Sequence, residues 1–89
     1  MEVRWSTIAV EDLERIFRRI EKDNPTAARE IVKTIYAGCR GLHDFPHRGR
    51  PGRMNGRREL IFSPYIVVYQ VREQAVEISR IYHGAQDWP

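Results

Sequence analysis

The sequence is poor in the residues that usually staple, anchor or metallate a small protein. Cys39 is the only cysteine in 89 residues, so an internal disulfide is impossible and a disulfide-framed secreted scaffold is excluded. No stretch approaches the roughly 20 apolar residues of a membrane span. No apolar run of signal-peptide length precedes the acids of the N-terminal "MEVRWSTIAVEDLERIF". A cytoplasmic protein with no membrane partner is expected. Lysine is scarce, two against thirteen arginines, which favours the planar guanidinium fork for phosphate or carboxylate over a flexible point charge. Low-complexity runs and internal repeats are absent, as are helix-turn-helix, zinc and RNA-recognition signatures.

Metal ligands are equally sparse. His43 and His47 stand four apart in "HDFPH", but Phe45-Pro46 prevents the helix that would align them, and no carboxylate pair completes a set. Neither metal nor cofactor is expected. Cys39 falls in the apolar stripe of a helix and reads as a core thiol rather than a nucleophile.

What is present is a single-domain pattern, residues 1–89, with 42% hydrophobic and 30% charged residues. In "MEVRW", Val3 and Trp5 alternate with Glu2 and Arg4, the period of a short strand. Ser6 or Thr7 then caps a helix whose Leu13, Ile16, Phe17 and Ile20 share one face, with Glu11, Asp12 and Glu14 placed to favour its positive end. Asn24 and Pro25 open a second helix with a stripe of Ala28, Ile31, Val32, Ile35, Cys39 and Leu42, frayed near its end by Gly38 and Gly41. Three strand segments follow: "RRELIF"; "YIVVYQV", apolar on both faces like a covered central strand; and "AVEISRIYH", with Val76 and Ile78 opposite Glu77 and Ser79. Tyr65, Val67 and Tyr69 share one face of the second segment and read as packing. The expected fold is α+β, β-α-α-β-β-β, with a helical hairpin packed on an antiparallel sheet.

Between helices and strands lies "HDFPHRGRPGRMNGRREL", with Arg48, Arg50, Arg53, Arg57 and Arg58 against Asp44 and Glu59. This stretch alone carries the +3 formal charge of the whole chain. Gly49, Pro51, Gly52 and Gly56 argue against helix or strand here. The stretch is either a surface for an acidic partner or a solvated connection. Farther on, Arg58, Glu59, Arg80, Tyr82 and His83 can approach one end of a three-strand meander. There a guanidinium could stabilise a phosphorane while His83 or Glu59 moves protons. The plainer reading of the same residues is an Arg80–Glu59 cross-strand ion pair and a surface histidine. Trp88 either folds back onto apolar surface or meets a partner.

Taken together, "VRWSTIAVEDLERIFRRIEKDNPTAAREIVKTI", "GRPGRMNGRREL" and "SPYIVVYQVREQAVEISRIYHGAQDW" resemble the RelE/ParE superfamily of toxins from bacterial type II toxin-antitoxin systems, over essentially the whole chain. The resemblance implies growth inhibition and plasmid stabilization. It also implies neutralisation by a cognate acidic antitoxin, through which alone operator DNA would be bound. Two mechanisms occur on this fold: RelE-like members cut messenger RNA on the ribosome without metal, and ParE-like members inhibit DNA gyrase and trap its cleaved DNA complex. The nuclease pattern carries an arginine where "IVVY" has Ile66, and alternating lysines where this chain has Arg57, Arg58, Glu59 and Leu60. His83 does match a terminal histidine of some nucleases. The ParE-like reading is therefore expected, with Arg48, Arg50, Arg53, Arg57, Arg58, Arg80 and Trp88 contacting the target. The alternative is a ribosome-dependent nuclease using Arg58, Glu59, Arg80, Tyr82 and His83. A third reading is a small basic nucleic-acid-binding module.

Overall fold

The alternation in "EVRW" makes β1, Glu2–Trp5, with Val3 and Trp5 half-buried and Glu2 and Arg4 exposed. The computed structural model describes residues 1–84. Ser6 Oγ accepts the Ala9 N–H at 3.0 Å and so caps α1, Thr7–Glu21. The first turn of α1 contains no acid, so the expected favourable contact of Glu11, Asp12 and Glu14 with the helix dipole is not made there. Asp12 is turned inward instead, onto the backbone of the last strand at Ile81. Asn24 Oδ1 caps α2, Pro25–Arg40, by accepting the Ala27 N–H at 3.0 Å, with Pro25 in the first turn, where its missing N–H is no loss.

The apolar stripe of α2 is buried at Ala28, Ile35 and Cys39, and Leu42 continues it into a 3-10 turn, Gly41–His43. The helix tightens at its end rather than fraying. Gly38 has a packing reason, since a Cβ there would lie 2.3 Å from the Phe62 ring. Its lower helix propensity, about 1 kcal/mol relative to alanine, is exchanged for direct contact between helix and sheet.

The sheet contains β2, Arg50–Pro51; β3, Arg58–Phe62; β4, Tyr65–Val71; and β5, Ala75–His83, in the order β1-β5-β4-β3-β2. The expected α+β architecture is observed with two additions. The short strand β2 extends the sheet, and β1 pairs with β5 in parallel while the other neighbours are antiparallel. The parallel pair follows from connectivity: β1 is joined to the sheet only through the helical hairpin and so is not bound by the geometry of a tight turn. Tyr65 to Tyr69 of the central β4 are all buried. The main core lies between the helices and the face of the sheet carrying Tyr65, Val67, Tyr69, Val76, Ile78 and Ile81.

Cys39 is fully enclosed in this core, and burial pushes its thiol pKa up to about 12. The native protein should therefore resist a thiol reagent at neutral pH and react once unfolded in denaturant, as a quantitative thiol assay with and without guanidinium would record. Among the described residues no helix is long and apolar enough to cross a membrane.

Candidate functional site

Which face of the sheet each polar side chain occupies is decided by one irregularity in β5. Straight alternation from Val76 and Ile78 would bring Arg80 to the core side. The β4–β5 register instead shifts between Val68 and Tyr69, pairing Tyr69 with Ile78 but Val68 with Arg80. The extra residue, Ser79, reverses the parity beyond it. Ile81 enters the core and His83 lies beside Tyr65, ring centroids 5.6 Å apart and edge-on. Arg80 and Tyr82 take the opposite face, with the Arg80 guanidinium 5.0 Å from the Tyr82 ring centroid.

Beyond Ile78 β1 has ended, and the edge of β5 would be left with unpaired backbone groups. Ser6 closes the first part, donating its N–H to Ile78 O at 3.0 Å and its hydroxyl to Ser79 O at 2.9 Å. Asp12 closes the second. Its carboxylate, 1% exposed, accepts the Ile81 N–H at 2.9 Å, Arg80 Nε at 2.9 Å and Nη2 at 3.4 Å, and Arg15 Nη2 at 2.7 Å. Burial pushes the Asp12 pKa up, but the bonds from Arg80, Ile81 and Arg15 outweigh it and hold the carboxyl below its ordinary 3.8. Asp12 carried no sequence signal as a functional residue. It stands one position before the apolar Leu13, and besides Arg15 its partners are 68 and 69 residues away.

Glu59 is the second buried carboxylate, and it orders the arginine-rich stretch. Its Oε1 accepts Arg50 Nε at 3.0 Å and its Oε2 the Arg53 backbone N–H at 3.3 Å. Arg50 and Pro51 pair with Glu59 and Arg58, and Gly52 donates its N–H to Arg57 O at 2.7 Å. The stretch is therefore a short β-hairpin, not the irregular loop that its glycines and proline imply. At its root the Tyr69 hydroxyl accepts the Gly49 N–H at 2.8 Å and donates to Pro46 O at 2.9 Å. Burial raises the Tyr69 pKa, so the phenol stays a neutral donor and acceptor. Gly49 must be glycine because a Cβ there would lie 2.7 Å from both Glu59 O and the Tyr69 hydroxyl. Replacing Tyr69 by Phe leaves the Gly49 N–H and the Pro46 carbonyl without this partner. We expect a loss of about 2 kcal/mol in denaturant unfolding, with the Gly49 amide exchanging faster.

The five arginines are thus not equivalent. Arg50 is ion-paired to Glu59. Arg53 contributes its backbone to the same carboxylate. Arg58 Nη1 donates to Gly49 O at 2.7 Å and His47 O at 3.3 Å, neutral acceptors that position the guanidinium without cancelling its charge. The Arg48 Nη1 atom lies against Gly41, at the C-terminal end of the helical segment, where partial negative charge favours a cation.

The expected Arg80–Glu59 pair does not form, because β4 separates their strands. Each acid takes another arginine, Arg80 with Asp12 and Arg50 with Glu59. The residues considered for nuclease chemistry divide between the faces: Glu59, Arg80 and Tyr82 on one, Arg58 and His83 on the other. Arg58 and His83 are also four β4 residues apart, pairing with Tyr69 and Tyr65 respectively, roughly 13 Å along the strand. Trp88 lies outside the described residues. Among the described residues no three His, Cys, Asp or Glu side chains gather as metal ligands.

Residues 3–88 match the family described as the ParE toxin of the type II toxin-antitoxin system, parDE. The Sinorhizobium fredii protein named "Putative toxin Y4kP" is 39% identical, over 98% of this chain and 92% of its own length. Toxin RelE2 of Caulobacter vibrioides is 31% identical, over 96% and 97%. Among solved structures, the chromosomal ParDE toxin-antitoxin system of Pseudomonas aeruginosa superposes with a TM-score of 0.84 at 25% identity, covering 93% of this chain and 95% of that one. The RelBE2 toxin-antitoxin complex of Mycobacterium tuberculosis reaches 0.67, also at 25%, covering 92% and 95%. With its strand, helical hairpin and terminal strands in the expected order and a family match over nearly its full length, this chain belongs to the ParE toxins of type II toxin-antitoxin systems.

Proposed function

We propose that this toxin arrests growth by poisoning DNA gyrase, and that an acidic antitoxin neutralises it. The observation that carries the first part is the commitment of the candidate nuclease groups to structure. Cleavage through a 2′-hydroxyl without metal needs a base, an acid and a cation within hydrogen-bond reach of one phosphate. Glu59 is held by Arg50 and the Arg53 amide, Arg80 by Asp12, and His83 lies on the other face of the sheet. Ile66, buried in β4, supplies no cation where the nuclease pattern has one. The arginine hairpin is then a docking surface on gyrase or its DNA.

The second part is supported by an apolar groove of about 410 Å³ along the helical hairpin α1–α2, lined by Val10, Leu13, Phe17 and Val32 and edged by Glu14, Arg18 and Glu21. A partly disordered antitoxin segment that folds on binding would cover such a groove while its acids meet the arginines. The related structures named above are themselves toxin-antitoxin systems.

Purified toxin is expected to inhibit gyrase supercoiling and to accumulate cleaved DNA, with both effects abolished by antitoxin. Full supercoiling with no trapped DNA would refute the proposal. A ribosome-dependent nuclease is the second reading, favoured by the name of the Caulobacter relative and by the Arg80–Tyr82 pairing. It requires cleaved messages in a translation extract, lost in Tyr82→Phe.

A further inference from the structure

Along one side of the β2–β3 hairpin, from His47 to the connecting loop, is a cleft of about 320 Å³ lined by His47, Pro51, Gly56, Arg57, Arg58 and Val71. We infer that this cleft is a pocket for a phosphate group. It contributes two guanidinium groups and an imidazole, with no acid among its lining residues. Arg58 is half-buried and held by the Gly49 and His47 carbonyls through Nη1 alone. That leaves its Nε and Nη2 donors as an edge matching two oxygens of an oxyanion. Neither Arg57 nor Arg58 has an ion-pair partner among the described residues, in contrast to Arg50 and Arg80, which buried carboxylates hold.

The donor count selects phosphate over carboxylate. One guanidinium fork already satisfies both oxygens of a carboxylate, whereas Arg57 and Arg58 lining one cleft offer more donors than that. A phosphate group has the further acceptor oxygens to use them. Pro51 and Val71 provide apolar walls against which a sugar or methylene group can rest. Arg58 pairs with Tyr69 in the register, so the pocket opens on the helix-bearing side, beyond the helices, and not on the face that carries Arg80 and Tyr82. Of the residues considered for nuclease chemistry it therefore takes in Arg58 alone, apart from Glu59, Arg80 and Tyr82, and it does not depend on which macromolecule the toxin arrests. The phosphate is either a phosphodiester of a nucleic-acid strand or that of a small phosphate compound.

The two sources are distinguished by NMR titration of the full chain at constant ionic strength, with a short single-stranded DNA oligonucleotide in one arm and inorganic phosphate in the other. Saturable shifts are expected at the amides of His47, Gly56, Arg57, Arg58 and Val71. Arg57→Gln should weaken binding about tenfold, the loss of one charge-assisted contact, and lower the oligonucleotide's log-log salt slope by about one. Lys33→Gln, an equal change of charge on an exposed part of α2, should leave the affinity unaltered. Saturation by the oligonucleotide alone identifies the strand phosphodiester, and saturation by inorganic phosphate identifies a small phosphate compound. Either result supports the pocket. Absence of saturable shifts in both arms, or equal binding by the wild type and Arg57→Gln, overturns it. Arg58→Gln should show a greater loss of affinity, with its melting temperature recorded because it also releases the Gly49 and His47 carbonyls.

Discussion

Asp12→Ala should lower the stability of the toxin by about 3 kcal/mol, the largest effect expected of any single polar substitution here. For a domain of this size that is on the order of 15 °C in Tm, measurable by thermal circular dichroism. The partners of Asp12 differ in exposure. Arg80 and Arg15 side chains are 39% and 62% exposed, so on losing the carboxylate both rehydrate and recover much of their interaction energy. The Ile81 N–H cannot, because it is buried beyond the end of β1 with no strand to receive it. Most of the loss should therefore come from one orphaned amide and from the bulged end of β5 that it secures. Asp12→Asn retains an acceptor oxygen without the charge and should lose about half as much.

The same residue makes stability depend on acid. Because the folded carboxyl titrates below its ordinary 3.8, the ionised form is the one that folding favours. Its contribution is complete at pH values well above 3.8, and it is lost as pH falls through the lower folded value. The stability difference between wild type and Asp12→Asn should accordingly be constant above about pH 5 and shrink in increasingly acidic solution. A difference that stayed constant down to the acid transition would show that the charge contributes nothing.

Glu59→Ala should cost about 2 kcal/mol and loosen the arginine hairpin specifically. Arg50, 55% exposed, returns to water, but the Arg53 N–H and the β2–β3 pairing lose their shared acceptor. Hydrogen exchange should quicken at Gly52 and Arg53 while Val67 and Ile78 in the core remain protected. If the hairpin docks on gyrase, this variant should also lose inhibition with every arginine still in place. Ordering the surface in advance removes an entropic cost that binding would otherwise carry. An unchanged inhibition curve, alongside the quickened exchange, would separate the hairpin's order from its function.

These two carboxylates change what the excess of arginine means. Composition alone treats the five hairpin arginines as one positive patch. Two acids instead sort the chain's guanidinium groups: Arg50 and Arg80 are held by buried carboxylates, whereas Arg58 is held by neutral carbonyls and, with Arg57, lines the cleft proposed above for phosphate. The result is a surface whose geometry is settled before any partner arrives.

The order of the helices and the four longer strands, both helix caps, the inward-facing stripes of α1 and α2, the core role of Cys39, Tyr65 and Tyr69 and the central place of β4 could all be read from the sequence. Each rests on a local signal: a period of 3.6 or 2, a capping residue, or an apolar run. The division of the candidate catalytic residues could not be read in this way, because it turns on the single extra residue at Ser79, where the β4–β5 register shifts and exchanges the faces of everything beyond it. Nor could the partner of Arg80, which depends on where β1 stops relative to β5, or the hairpin around Arg50, which needs Glu59 and Tyr69 in place from the next strands. Sequence by itself determined the two helices and the four longer strands, since their causes lie within a few residues. Only the tertiary structure decided which charges are spent and which remain, because burial brings together groups that lie 9, 20 and 68 residues apart along the chain.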